Sequence, residues 1–277
     1  MSHPLAERMR HGDPAARRAA CLAAANDPAA VLLAEALGHA LGDPVNAVAR
    51  AASDALVEIG RRERHVDSVL RDALRSDSLR RRFGAAYTSA RLQPPTPSLL
   101  PALLEALGGA DGDRRWAAAR MLVDLGRLHG EVLGVLVGLL KGGEDATVRR
   151  MAAFCLRELA PDRPEAASVL VAATYDPDFH VRRAGLTALA ALLDPPPQVW
   201  DRLLEALHKG EDPAARRIAA VALGELGAGN RGSLPQAARD ALQALAAHAP
   251  EADLRRAAQR ALARLEGRAA RPPEEAR

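Results

Sequence analysis

One frame returns eight times along this chain. Its clearest copy is Asp145 to Leu159, D-A-T-V-R-R-M-A-A-F-C-L-R-E-L. Read as a helix, this stretch puts Val148, Ala152, Leu156 and Leu159 on one apolar stripe. Asp145 is placed to accept backbone N–H groups as the N-cap. The frame returns in D-P-A-A-R-R-I-A-A-V-A-L-G-E-L-G from Asp212 and in D-F-H-V-R-R-A-G-L-T-A-L-A-A-L from Asp178. With Val148 as position zero, the equivalents are Ala16, Val48, Leu79, Arg114, Val181, Ala215 and Leu254, spaced by 31 to 39 residues. A period near 34 sustained this long means a solenoid: one unit cannot bury its stripe alone and must stack on the next.

The side chains at fixed offsets fit that reading. Four places past zero stand Ala20, Ala52, Phe83, Ala118, Ala152, Gly185, Ala219 and Ala258. All but Phe83 are small and let neighbouring helices approach closely. Eight places past zero stand Ala24, Leu56, Tyr87, Leu122, Leu156, Leu189, Leu223 and Leu262, the expected large knobs of the core. Each such B helix follows an A helix: Pro4–Arg10, Pro28–Leu41, Glu63–Arg75, Pro97–Leu107, Glu131–Lys141, Pro164–Thr174, Pro196–Lys209 and Pro235–Ala247. Proline opens most of them, where the first turn loses no N–H partner. Gly60, Gly126, Gly227 and Gly267 are expected to close B helices as C-caps. Three linkers break the period: two proline-rich corners, at 93–98 and 194–198, and the Ala228–Leu234 insertion. None is long enough to mark a domain boundary. The repeats therefore read as one array over 1–267, followed by a disordered tail over 268–277.

Composition agrees. Only seven of 277 residues are aromatic, and alanine and leucine fill the apolar positions, as in close-packed helices. No stretch alternates apolar and polar residues in strand fashion. The net charge of +3 is small, and Lys141 and Lys209 are the only lysines. An arginine bias of this kind is bacterial-like and follows from high genomic GC content without a functional cause. Cys21 and Cys155 stand four repeats apart, beyond the ~7 Å reach of a disulfide, so both read as small buried hydrophobes. A reducing, cytoplasmic setting is expected. Arg17-Arg18 before A-A-C-L-A-A-A imitates a signal peptide, but the apolar run stops at Asp27-Pro28. No run approaches the ~20 residues of a membrane span.

Repeats of this length and pattern resemble the short HEAT-like repeats of the bilin-lyase class. The resemblance covers essentially the whole chain. It implies an all-α, right-handed α-solenoid of about eight HEAT-like helical hairpins, with the B helices lining the inner curve. It also implies a ladder in which a turn acid meets a B-helix arginine of the adjoining repeat. The matching acids are Asp13, Asp111, Asp145, Asp178, Asp212 and Glu251. The matching arginines are Arg17, Arg80, Arg115, Arg149, Arg182, Arg216 and Arg255. Repeat two departs at both places, with Val45 and Ala49, and repeat three has Ser76 for the acid.

No catalytic pattern stands out. The eight histidines are scattered, with no H-x-x-x-H or C-x-x-C spacing, no G-x-S-x-G elbow and no phosphate-cradling loop. An enzyme is not expected, and neither is a cofactor. Gly130, Gly134 and Gly138 share one helix face and read as close packing against neighbouring repeats. Candidate binding residues lie one place beyond the ladder arginine. Arg18, Arg50, Arg81, Arg150, Arg183, Arg217 and Arg256 form a column there, broken in repeat four by Trp116. Phe154 occupies an exposed-leaning place on the next B helix. Trp116, Phe154, Arg81, Arg150, Arg183 and Arg217 are thus the expected contacts of a protein-binding scaffold or adaptor that uses the concave face, its partner an acidic or extended protein segment. Nucleic-acid binding through the arginine column is the alternative, and a bilin-lyase relative is a third reading. No membrane partner is expected.

Overall fold

The computed structural model describes residues 3–209, 212–229 and 234–267. Among them are sixteen α-helices and no strand. Contacts group the chain into two compact units, Met1–Gly130 and Glu131–Arg277. The first holds α1 (Pro4–His11), α2 (Pro14–Ala24), α3 (Ala30–Ala40), α4 (Asn46–Gly60), α5 (His65–Leu74), α6 (Leu79–Leu92), α7 (Leu100–Leu107) and α8 (Gly112–Leu128). A 3-10 turn at Pro97–Leu99 leads into α7. The second holds α9 (Glu131–Gly142), α10 (Ala146–Leu159), α11 (Pro164–Ala173), α12 (Phe179–Leu189), α13 (Pro197–Lys209), α14 (Pro213–Gly229), α15 (Gln236–His248) and α16 (Ala252–Leu265). The chain is an all-α solenoid. Odd-numbered helices are the A helices and even-numbered ones the B helices. The tail at 268–277 lies outside the described residues, as does most of the Ala228–Leu234 insertion.

Within the first unit each A helix packs on its own B helix, and the B helices touch in order, α2 on α4, α4 on α6 and α6 on α8. The second unit repeats this with α10, α12, α14 and α16. The small position makes such stacking possible. Ala52, Ala118, Ala152, Ala219 and Ala258 are fully buried, and at the same place Gly185 lets α12 approach its A helix, a Cβ there falling 3.1 Å from the Thr174 nitrogen. The large knobs Leu56, Leu122, Leu156, Leu189 and Leu223 are buried beside them, whereas Leu262 in the last B helix stays half-buried. Burial of one leucine contributes about 1.5–3 kcal/mol, so these columns hold the array together.

Capping residues start the B helices as expected. The Asp13 carboxylate accepts from the Ala16 N–H at 2.8 Å, Asp145 from Thr147 at 2.6 Å, and Asp178 from His180 at 2.8 Å. The glycines depart from expectation. Gly60 ends α4 within the helix, and Gly227 lies inside α14. A Cβ at Gly60 would fall 2.9 Å from Leu92 Cδ1, so this glycine makes room for a side chain. Gly267 alone among the described glycines has a positive φ, of 70°, just past the end of α16. The glycine face of α9 also differs. Nothing lies within 4 Å of where a Cβ would stand at Gly130, Gly134 or Gly138. Val132, Leu136 and Leu140 take the buried stripe of α9, and a residue two places along a helix points roughly the opposite way. No described helix is long and apolar enough to cross a membrane.

Candidate functional site

The structure moves the third repeat by two residues. The Ser78 hydroxyl caps α6, accepting from the Arg81 N–H at 3.4 Å. In every other repeat position zero lies three residues past the cap, as Asp145 and Val148 do. Position zero of repeat three is therefore Arg81, not Leu79. The ladder place falls on Arg82, the small place on the buried Ala85 and the outer place on Phe83. A shared hydrogen bond supports this register. Ladder arginines donate to the carbonyl six residues earlier: Arg115 to Gly109 at 2.7 Å, Arg149 to Gly143 at 2.8 Å, Arg182 to Asp176 at 2.8 Å and Arg255 to Ala249 at 2.6 Å. Arg82 does the same to Ser76. The signal was legible, because this register puts repeat three 33 residues from both neighbours.

The ladder itself is built differently from the expected one. Arg17 donates through Nε and Nη2 to both oxygens of Asp43, at 2.7 and 3.0 Å. Arg149 meets Asp176 in the same way, at 2.7 and 2.8 Å. Asp43 and Asp176 stand two residues before the N-cap of the following B helix. Each also accepts an N–H from that turn, Val45 at 2.8 Å and Asp178 at 2.9 Å. The N-cap acids are occupied at home by their own helices. Where the place two before the cap holds no acid, the pairing shifts: with Gly210 there Arg183 takes Asp212 at 2.7 and 2.8 Å, and with Ala249 there Arg216 takes Glu251 at 2.7 Å.

These contacts shift ionisation as charge-assisted bonds do. The Arg149 hydrogen bond holds Asp176 below the usual carboxylate range, and Arg183 does so for Asp212. Burial works to raise Asp43, but Arg17 and the Val45 N–H hold it low. Asp111 falls furthest, to about 2, through the Arg114 N–H first and then the Asn46 amide and the Arg114 guanidinium. Burial pushes the free thiols up, Cys21 to about 11 and Cys155 to about 12.

The expected binding residues then fall into three groups. Trp116, on α8 of the first unit, is 46% exposed. Phe154, on α10 of the second unit, is half-buried. Arg81 leaves the column altogether, donating through Nε to the Gly38 carbonyl at 3.0 Å. Arg183 is bound to Asp212 and lies 4.8 Å over the Phe179 ring. Arg217 is exposed and donates to Asp253 at 3.2 Å. Arg150 is half-buried and has no ion pair among the described residues. The outer face of the B helices thus carries arginines mostly matched to acids. In the corrected register this column also holds Phe83, which is buried, while Trp116 is exposed.

Sequence reasoning placed Phe83 and Tyr87 in the core columns and missed that both line a cavity. Phe83 is buried, but Tyr87 is 36% exposed, and their rings stack at 6.3 Å. Together with Arg50, Arg80 and Arg114 they line a cavity of about 290 Å³ among α4, α6 and α8. In the second unit a wider groove of about 570 Å³ runs past Arg157, Arg217, Val221, Asp253, Arg256 and Arg260. Among the described residues, no group of three His, Cys, Asp or Glu side chains is arranged to hold a metal ion.

Comparison with known proteins places this architecture. No curated protein matches the chain in sequence. Among solved structures, importin β matches 98% of this chain with a TM-score of 0.61 at 16% identity, and Kap95p matches 97% with a TM-score of 0.64 at 13% identity. The chain spans about two fifths of the length of these two proteins, 41% and 40%. YibA of E. coli is similar in length as well: 95% of this chain covers 91% of it, with a TM-score of 0.59 at 19% identity. The model for HEAT repeats matches residues 100–190, 133–223 and 170–263, together more than half of the sequence. With paired helices at that period, stacked by small residues and joined by arginine–carboxylate rungs, the chain belongs to the HEAT-repeat family.

Proposed function

We propose that this protein is a non-enzymatic scaffold whose partner is an acidic or extended protein segment lying on the outer face of the B helices, in a reducing, cytoplasmic setting. The observation that carries this reading is Trp116. A tryptophan 46% exposed in a column otherwise dominated by arginine is unusual in a chain with two tryptophans. Large aromatics with arginine beside them make the anchors of protein interfaces. Phe154 and Arg150 on α10 pair an aromatic with an arginine within the second unit by itself. Kap95p, of similar fold, acts on a protein, RanGDP. The nucleic-acid reading is weaker. Arg50, Arg183 and Arg217 face Asp113, Asp212 and Asp253, and a phosphate backbone needs guanidiniums that are not already matched. No residue pattern favours the bilin-lyase reading over a plain scaffold.

The test is fluorescence anisotropy against a library of acidic peptides and against single- and double-stranded DNA, over a range of salt. The expected outcome is saturable binding of a subset of peptides, lost in Trp116→Ala. Binding of DNA alone, with a steep salt slope and no effect of Trp116→Ala, would replace the scaffold by the nucleic-acid reading.

A further inference from the structure

In the first unit, the B helices on either side of α6 meet across its start. The Asn46 amide donates to Asp111 at 3.2 Å, and Arg50 reaches Asp113 at 3.5 Å, so α4 and α8 are bridged over the intervening helix. Gly84 permits this. A Cβ there would stand 2.8 Å from the Leu41 carbonyl oxygen, so only glycine lets α6 settle so far back. The recess left behind is the cavity of about 290 Å³, close to the lower size of small-ligand sites. Its apolar part is the stacked Phe83–Tyr87 pair with Ala49 and Ala117.

The charges around it do not cancel. Asp43 lines the cavity but is spent on Arg17 and the Val45 N–H. Asp113 is at the exposed rim, facing Arg50 over a long contact. Arg80 gives one nitrogen to the Pro44 carbonyl at 3.1 Å, and Arg114 gives one to Asp111 at 2.9 Å. The Arg114 Nε is buried and meets no acceptor among the described residues. A buried guanidinium nitrogen without an acceptor costs about 1–3 kcal/mol. Arg114 also breaks the pattern of its column, which holds Ala16, Val48, Val148, Val181, Ala215 and Leu254 elsewhere. The other exception, Arg81, has found the Gly38 carbonyl. Arg114 is thus only partly satisfied: its Nη2 meets Asp111, while its Nε, like those of Arg115 and Arg157, meets no hydrogen-bond acceptor among the described residues, and of these three only Arg114 lines this cavity.

We infer that this cavity binds a carboxylate carried on a flat apolar body, with the ring against Phe83 and Tyr87 and the carboxylate on Arg114 and Arg80. Guanidinium groups pair carboxylates through two parallel bonds, and a stacked aromatic pair offers a matching flat surface. Two sources share this chemistry, a free aromatic acid and the C-terminal aromatic residue of a peptide. The site does not depend on the scaffold reading, because Trp116 does not line it.

The experiment is isothermal titration of the full chain with 2-naphthoate, with neutral 2-naphthamide, and with an acetylated tetrapeptide ending in phenylalanine as the free acid or the amide. Saturable one-to-one binding is expected for at least one acid, with the matching amide at least tenfold weaker. Arg114→Gln and Ala49→Leu should each weaken that binding at least tenfold. Ala49→Leu fills the cavity and leaves every charge in place, so it decides the matter even if Arg114→Gln fails to fold. Trp116→Ala should bind the acid as the parent does. Binding of 2-naphthoate alone assigns a small-molecule ligand, and binding of the peptide acid alone assigns a chain terminus. No saturable binding of either acid at millimolar concentration, equal binding of acid and amide, or unchanged binding in Ala49→Leu would each overturn the inference.

Discussion

Arg149 and Asp176 are joined by two parallel hydrogen bonds, Nε to Oδ2 at 2.7 Å and Nη2 to Oδ1 at 2.8 Å, and both side chains are largely shielded from solvent. The pair ties α10 to the turn that starts α12, while Asp176 also fixes that turn through the Asp178 N–H. Asp176→Asn removes the charge and leaves a guanidinium half-satisfied. It should cost about 1.5–3 kcal/mol in denaturant melts at neutral pH, the range for hydrogen bonds to a charged group.

Acid should weaken the array through the same carboxylates. Asp111 falls from 3.8 in its ordinary state to about 2 in the fold. A depressed carboxylate stabilises the fold above its unfolded pKa and loses that contribution as pH falls through the folded value. For Asp111 the window therefore runs from about pH 4 down to about pH 2. Asp111→Asn keeps a capping acceptor and abolishes the titration. The melting temperatures of parent and variant should differ at pH 7 and converge toward pH 2. A constant difference across that range would contradict the assignment.

Two glycines inside helices should respond in opposite ways to alanine. Gly134 in α9 has nothing within 4 Å of a prospective Cβ, so Gly134→Ala should stabilise by up to about 1 kcal/mol through helix propensity. Gly84 in α6 meets the Leu41 carbonyl oxygen at 2.8 Å and Leu41 Cβ at 2.9 Å. Gly84→Ala must push two helices apart and should destabilise by about 1–3 kcal/mol. Thermal melts of the two variants side by side give the signs directly.

The stacking of repeats predicts unequal losses along one core column. Leu156 is fully buried in the middle of the second unit's first B helix, and Leu262 in the last B helix is half-buried. Leu156→Ala should cost about 2–5 kcal/mol. Leu262→Ala should cost less, because Leu262 is only half-buried at the end of the array and loses less apolar contact. Urea titration of the two variants compares them, and equal costs would contradict a nearest-neighbour array.

Trp116→Ala should separate binding from folding. An aromatic anchor typically contributes at least about 2 kcal/mol to binding, which is roughly a thirtyfold loss of affinity. At 46% exposure its removal should move the melting temperature little. Early melting with unchanged affinity per folded molecule would make Trp116 a packing residue and move the interface elsewhere.

The sequence by itself determined the helical hairpins, their period and the columns that fill the core. Those features are local. An apolar stripe at Val148, Ala152 and Leu156 and a cap at Asp145 depend on the helix repeat alone, whatever the helix later packs against. The candidate site was legible only in part. Trp116 stood out as an aromatic in a basic column, but Phe83 and Tyr87 were hidden, because in repeat three Leu79, Phe83 and Tyr87 imitate a stripe at the wrong phase. The even 33-residue spacing pointed to the right phase, and the tertiary structure decided it through the Ser78 cap and the recess that Gly84 allows against Leu41. It also decided which acid an arginine meets where two are within reach. A guanidinium on a long side chain reaches either the N-cap acid or the acid two residues before it, and the offset between neighbouring helices chooses between them. That offset is set by side chains from two repeats packing together, and at Arg149 it selects Asp176 over the capping Asp178; at Arg183 the place two before Asp212 is Gly210, so the sequence itself leaves only the cap acid.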